Sequence, residues 1–569
     1  MNWKHLLTIC MLATSSSTLQ AQSFEPAREA VKNMGVGWNL GNTLEAHNQN
    51  TDQLDPTKNS YWGQQNLESE TCWGQVYATP ELMKMMKEAG FSAIRVPVTW
   101  YNHMNFDGTV DAKWMARVKE VVGYVLDQGM YCIINVHHDT GADDNNYRHW
   151  IKAQGTNYTT NKTKYENLWK QIATEFKDYD QKLLFESYNE MLDKYNSWCY
   201  ATFSSTGQYN ATDAADAYKA INDYAQSFVD VVRNSGGNNG ERNLVVNTYA
   251  ACCGSGTWNT HLKEPLTQLT IPTDKVANHL MVQVHDYPNI ENNIADVKSE
   301  IDDMVDAWNT NIISKGIPMI LGEWGTANVD KGDGKTDYDV RRDVMFEFVD
   351  YMVKKCKENN VATFYWMGLS DGIFRISPVF NQPDLVQTII KAYYGSTGSF
   401  KYPTIADVGS LKCLQDEMTI AWGKGLTIGK DAFSAFEKDI KLELSFRVTS
   451  NSGQNIQFND GNWTTFPNVM IDGVVKGGTY NPQGTVGTTY NITVTFSQSV
   501  YNTLCQKGMI IQGSNVTLTK AELKGTITGI TPLKITRPKD NAFYNLQGQQ
   551  VTNPHKGIFI QNGKKYIIK

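Results

Sequence analysis

Two short stretches carry acids where a packed core would not keep them. LLFESYNEML (183–192) begins with the apolar run Leu183–Phe185 and ends in Asn189 and Glu190, and PMILGEWG (318–325) likewise turns acidic near its end, at Glu323. A strand that is apolar until it emerges delivers its acid to the surface where it emerges. Two such glutamates facing each other across one mouth have the composition that glycosidic bond cleavage needs. One carboxyl must be protonated to donate to a leaving oxygen, and the other ionised to attack or stabilise the sugar cation. Glu186 sits nearer the middle of its strand and is not assigned to the pair; an interior position beside a basic partner is expected for it.

Other apolar runs end in groups that suit the same reaction. Arg95, in FSAIRVPV, offers a fixed positive charge that favours the ionised form of a nearby carboxylate. Asn189 offers an amide to a sugar hydroxyl, and Trp366, in VATFYWMG, a flat apolar face to a sugar ring. His137 and His138 end MYCIINVHH, and His285 and Tyr287 end HLMVQVHDY. A rival chemistry would gather His137, His138 and His285 with Asp139 or Glu323 around a catalytic zinc. NVHHD, however, lacks the His-x-His spacing that sends two side chains from one strand to the same side. No metal is therefore expected.

The elements that must hold these residues alternate. Eight apolar strands, MGVGWNLG, FSAIRVPV, MYCIINVHH, KLLFESYNE, RNLVVNTYA, HLMVQVHDY, PMILGEWG and VATFYWMG, are separated by amphipathic helices. TPELMKMMKEAG shows the helix signals: Thr79 to cap, Pro80 in the first turn, Gly90 to close, and Leu82, Met85, Met86 and Ala89 on one face. KYENLWKQIATEF repeats the pattern with Tyr165, Leu168, Trp169, Ile172 and Phe176. Eight β-then-α units predict a (β/α)8 barrel, with an open doubly wound sheet as the alternative. In a barrel all the polar strand ends converge on one face. The long connections 44–78, carrying Trp62 and Trp73, and 191–210, carrying Trp198 and Tyr200, would wall a groove there.

Residues 22–398 are assigned to this α/β barrel. A Gly/Ser-containing link follows, and the alternating runs KLELSFRV, NIQFND, YNITVTFS and GMIIQGSNVTLTKAELKG place a β-sandwich at 405–527. Trp422, Trp463, Phe466 and Tyr480 are its candidate sugar-stacking residues; the alternative is that they are core. Residues 528–569 read as a short β module with an Asn562-Gly563 hairpin, a sorting or anchoring tail or a spacer.

At 569 residues the chain is too long for one core, and its net charge of −7 offers no basic face, so no nucleic-acid partner is expected. Residues 1–21 have a basic Lys4, a short apolar stretch and a small residue at Ala21, as in a signal peptide, so a secreted or cell-surface protein without a transmembrane segment is expected. Eight cysteines follow that segment, with no pairing legible and Cys132 read as a buried thiol. A monomer is expected.

In order, GWNLGNTLEA, GFSAIRVPVTW, INVHHD, ESYNE, VQVHDY, LGEWG and FYWMG resemble the motif series of glycoside hydrolase family 5, over residues 30 to 395. The resemblance implies a cofactor-free retaining hydrolase on a (β/α)8 barrel, most similar to endo-β-1,4-glucanases acting on β-glucan. It implies Glu190 as acid/base and Glu323 as nucleophile, Asn189 on the 2-hydroxyl, and Arg95 and Tyr287 hydrogen-bonded to the nucleophile. His137 and His285 would order the site and Trp366 would be the sugar platform, while His138 would contact substrate or only pack. Trp73, in ESETCWGQ, is similar to a groove tryptophan, with Asn42 near the floor; Cys72 replaces the small residue usual there. Mannanase, xyloglucanase and mixed-linkage glucanase are the alternatives, as is a non-catalytic glycan-binding protein, against which both glutamates argue.

Overall fold

The computed structural model describes residues 23–47, 67–142, 149–203, 208–291, 293–327 and 335–527, with four short strands beyond residue 542. Eight parallel strands close into a barrel: β1 (Val36–Asn39), β2 (Ala93–Val96), β3 (Tyr131–Asn135), β4 (Leu183–Glu186), β5 (Leu244–Cys252), β6 (Leu280–Asp286), β7 (Met319–Trp324) and β8 (Ala362–Trp366). β1 pairs with β8 as well as with β2, so the open doubly wound alternative is excluded. The Pro80–Ala89 helix starts as its sequence implies. Thr79 accepts a hydrogen bond from the Leu82 amide, and Gly90 closes the helix at φ 109°.

Alternation along the strands sorts the barrel interior into layers. At the bottom, the helix Ala27–Met34 plugs the barrel, packing Ala27, Ala30, Val31 and Met34 against Ala93, Ile133, Leu184, Val245, Met281, Ile320 and Phe364. Two residues further along the same strands stand Arg95, Asn135, Glu186, Asn247 and Gln283, all fully buried, with Gly322 on β7. A polar layer thus sits directly on an apolar one.

β4 ends at Glu186, four residues before Glu190, so the run KLLFESYNE is strand only in its first part. On the opposite side the β6–β7 register shifts between Val284↔Leu321 and His285↔Glu323. Such an irregularity re-aims a side chain, and it falls beside Glu323.

Residues beyond the barrel form a seven-stranded and a four-stranded antiparallel sheet. The long strand Phe436–Val448 lies between Val516–Ile527 and Thr489–Thr495 in the larger one. Leu442, Phe446, Phe458, Ile511 and Leu518 fill the core between the sheets, and Phe374 and Val379 of the barrel join the same cluster. The join is also polar: Tyr77 and Gln415 exchange two hydrogen bonds, and the Phe380 amide donates to the Pro403 carbonyl. The helix Gln498–Lys507, capped by Ser497, was not legible; its two buried apolar residues, Val500 and Leu504, make too thin a stripe to announce it.

Phe466 is core and Tyr480 packs against it, which removes both as exposed stacking faces. Trp422 and Trp463 are 55% and 47% exposed. The last strands, Phe543–Tyr544, Gln550–Val551, Gly557–Gln561 and Lys564–Ile568, pair into one antiparallel sheet. The signal-like segment, Trp62 and the Asn562-Gly563 turn lie outside the described residues. No helix among the described residues is long and apolar enough to cross a membrane, and the eight cysteines there are free thiols, Cys132 buried among them.

Candidate active site

The polar layer is organised by Arg95, whose planar fork of five N–H donors is fully used. Nε and Nη2 grip Glu186 at 2.7 and 2.8 Å, Nη2 also reaches Asn189 Oδ1 at 2.8 Å, and Nη1 reaches Asn39 Oδ1 at 3.0 Å and Glu323 Oε1 at 2.6 Å. One buried guanidinium therefore serves two carboxylates. Asn39 is fixed in turn by donating to the Gly322 and Phe364 carbonyls, and Asn135 and Asn247 donate to Glu186. Glu186 is thereby explained: it holds Arg95, and Arg95 holds Glu323.

Above this layer Glu323 accepts a second hydrogen bond from Tyr287 Oη at 2.8 Å, so both its oxygens are engaged. His285 Nδ1 lies 2.9 Å from Glu190 Oε1, and Gln283 Nε2 lies 3.3 Å from His285 Nε2. An amide N–H can only donate, so His285 Nε2 is the acceptor and Nδ1–H points at Glu190. By the same logic the Asn135 amide, 3.0 Å from His137 Nδ1, leaves the proton on His137 Nε2, which faces Glu323 Oε1 at 3.9 Å. Burial lowers both histidines, His285 to about 4, so both are neutral donors near pH 7. Gly322 is required for this packing: a Cβ there would lie 2.1 Å from Gln283 Oε1.

The two carboxylates have different surroundings. Glu190, with a side chain 22% exposed, has its carboxyl pushed up to about 7, chiefly by burial, with Arg95 opposing and Glu186 adding to the rise. Burial, and the neighbouring Glu190, also raise Glu323, with His285 and Arg95 opposing the rise. One oxygen from each carboxylate, with a nitrogen of His285, falls within 4.8 Å of the others. Among the described residues, these three groups are the ones that could meet a divalent cation. The Arg95 guanidinium 2.6 Å from Glu323 makes the position hostile to one. Asp139, a ligand in the zinc alternative, is instead spent on the Trp100 amide and the Trp150 indole.

Of the remaining expected residues, Trp366 and Asn42 bound a cavity, and His138 and Trp73 pack together beside His137. Trp366 lies parallel to His137, the planes 7° apart and the ring centroids 6.1 Å apart. A cavity of about 330 Å³ is bounded by Trp366, Tyr287, Asn42 and Tyr338. His138 belongs to an aromatic wall with Trp73, His47 and His149. Asn42 takes a left-handed conformation, φ 54°, and its amide and that of Thr43 donate to the buried Glu45. Sequence reasoning missed His47, His149, Glu45, Asn135, Asn247 and Gln283. The last two, with Asn135, could have been found by counting two residues beyond the innermost apolar position of each strand.

The sequence profile described as Cellulase (glycosyl hydrolase family 5) matches residues 54–371. The chain is 32% identical over 374 residues to Endoglucanase B of Neocallimastix patriciarum, covering 64% of this chain and 69% of that protein. It is similar in structure to a GH5-4 broad specificity endoglucanase from an uncultured bacterium (58% identity, TM-score 0.62, 67% of this chain and 98% of that one). A mutant glycoside hydrolase family 5 enzyme from Prevotella bryantii, in complex with a xyloglucan tetradecasaccharide, is 40% identical with a TM-score of 0.55, over 65% of this chain and 99% of that one. On the profile match and the barrel, the chain belongs to glycosyl hydrolase family 5, the cellulase family, and is a glycoside hydrolase of the endoglucanase type.

Proposed function

We propose that the protein cleaves internal β-1,4-glucosidic bonds of a β-glucan with retention of configuration, Glu323 acting as nucleophile and Glu190 as acid/base. The observation that carries this reading is the short approach of the two carboxylates, one oxygen of each lying within 4.8 Å of the other, while one carboxylate is bound by Arg95 and Tyr287 and the other by His285. Retaining pairs stand about 5–5.5 Å apart and inverting pairs about 6.5–9.5 Å, because inversion needs room for a water. In the first step a Glu323 oxygen bonds to the anomeric carbon as the glycosidic bond breaks, and the Glu190 proton passes to the leaving oxygen. Glu190, now ionised and receiving the His285 N–H, then takes a proton from water. That water's oxygen attacks the anomeric carbon and releases Glu323. Arg95 and Tyr287 hold the nucleophile ionised and aimed, Asn189 meets the 2-hydroxyl, and Trp366 carries the ring.

Substrate preference is supported only by likeness: an endoglucanase, a broad-specificity endoglucanase and an enzyme bound to a xyloglucan oligosaccharide. The last favours a second reading, in which branched β-1,4-glucan is also cleaved. Export is supported by residues 1–21. Purified protein offered carboxymethylcellulose, lichenan, xyloglucan, mannan and xylan is expected to release reducing ends from carboxymethylcellulose. Release from none of the five would leave a glycan-binding protein and overturn the proposal.

A further inference from the structure

The cleft does not stop at Trp366. Thr336, Tyr338, Asp371 and Gln382 line the cavity beside Trp366 and also line a second cavity of about 370 Å³. That volume is within the range of small-molecule sites, about 300–1,000 Å³. Its far wall comes from the other domain: the short helix Lys430–Ser434 of the sandwich contributes Lys430, Asp431 and Ser434. Its apolar lining includes Phe374 and Phe380, both buried, and Phe374 belongs to the sandwich core cluster. The two walls are thus held at a fixed separation.

The lining sets apolar side chains beside carboxylate, amide and hydroxyl groups, a combination that suits a ring carrying hydroxyls. Asp371 is tied to the cleft side by the Gln75 amide at 3.2 Å, two residues from Trp73. The Gln382 side-chain amide has no hydrogen-bond partner among the described residues. Asp431 and Ser434 are exposed on the opposite wall.

We infer that the sandwich domain completes a glycosyl subsite: this junction cavity takes a neutral pyranose unit of the same glucan chain that is held at Glu190 and Glu323. The inference rests on the glucanase reading above. The unit is either a distal backbone glucose or a side branch, and hydroxyls donating to Asp371 and Asp431 would recognise both.

Asp431→Ala removes an acceptor and Ser434→Trp fills the cavity, both at exposed positions where the fold is expected to survive, as thermal melting would verify. kcat/KM would be measured for an aryl cellobioside, cellohexaose and a xyloglucan tetradecasaccharide. Relative to the aryl cellobioside, a five- to tenfold fall is expected on at least one long substrate, about the worth of one hydrogen bond. A fall on the hexaose identifies a backbone unit, and a fall confined to the branched substrate identifies a branch. Equal falls on all three, or none, overturn the inference while leaving the glucanase reading intact. Unaltered protein that cleaves none of them overturns the glucanase reading, and the inference with it.

Discussion

Replacing Glu186 by Gln tests how the site is held, because Glu186 touches no substrate and acts through Arg95. The wild-type carboxylate takes two charge-assisted bonds from Arg95, at 2.7 and 2.8 Å, and two more amide donors from Asn135 and Asn247. Gln keeps the shape, but one of its ends becomes an NH2 group facing a donor. One bond is weakened and the other is lost at a site with no exposure. Hydrogen bonds to charged groups contribute about 1.5–3 kcal/mol, and breaking a buried pair costs about 3–5 kcal/mol; the Glu323 charge still compensates Arg95, so a loss of about 3 kcal/mol of stability is expected. The pH dependence supplies a sign that simple destabilisation would not. With Glu323 as the proposed nucleophile and Glu190 as the proposed acid, the first must be ionised and the second protonated, so kcat/KM rises with pH through the first group and falls through the second. Removing the Glu186 charge leaves Arg95 more fully committed to Glu323, lowering its pKa, and removes a neighbour that raises Glu190, lowering that one too. The whole bell moves to lower pH. Denaturant midpoints and kcat/KM from pH 4 to pH 9 would check both effects. An unchanged midpoint with an unchanged profile, or a bell displaced upward, would refute the positioning role.

Further outcomes follow from single contacts. Tyr287→Phe removes the 2.8 Å bond to Glu323, and is expected to lower kcat/KM about ten- to hundredfold and move the acid limb to higher pH, read from the kcat/KM profile. Gly322→Ala would force Gln283 away from His285, costing about 1–3 kcal/mol by overpacking and at least a tenfold loss of activity, checked by thermal melting and turnover. Glu190→Gln should lower turnover of unactivated glucan by about 10²–10⁴-fold, yet spare the first step on a dinitrophenyl cellobioside, whose leaving group needs no proton, and abolish the alkaline limb near pH 7. Incubation with a chelator should leave kcat unchanged, since Arg95 already occupies the charge-balancing position at Glu323.

How much of this was legible depends on whether the pattern was periodic. The eight strands, their closure and the polar strand ends follow from apolar runs that turn polar at one end, and Arg95, His137, His285, Tyr287 and Trp366 converge as those ends predict. The exact end of β4 did not follow, because Ser187 and Tyr188 stay fully buried past the last ladder residue and no Gly or Pro marks the end. The register shift at Glu323 has no local sign except Gly322, whose need appears only when Gln283 is placed beside it. His47 comes from a loop remote in sequence from His138, and His149, on the segment that follows His138, meets it only when the chain folds back. The aromatic residues of the sandwich show the limit from the other side: composition does not separate buried Phe466 from exposed Trp463, three positions apart.

The central claim is that Glu190 and Glu323, which bring one oxygen each within 4.8 Å of the other, act as a retaining pair. Proton NMR of the first anomer released from cellohexaose, recorded before mutarotation, tests it most directly. The account predicts the β-anomer, with turnover abolished in Glu323→Gln; an initial α-anomer, or turnover that survives in Glu323→Gln, would contradict it.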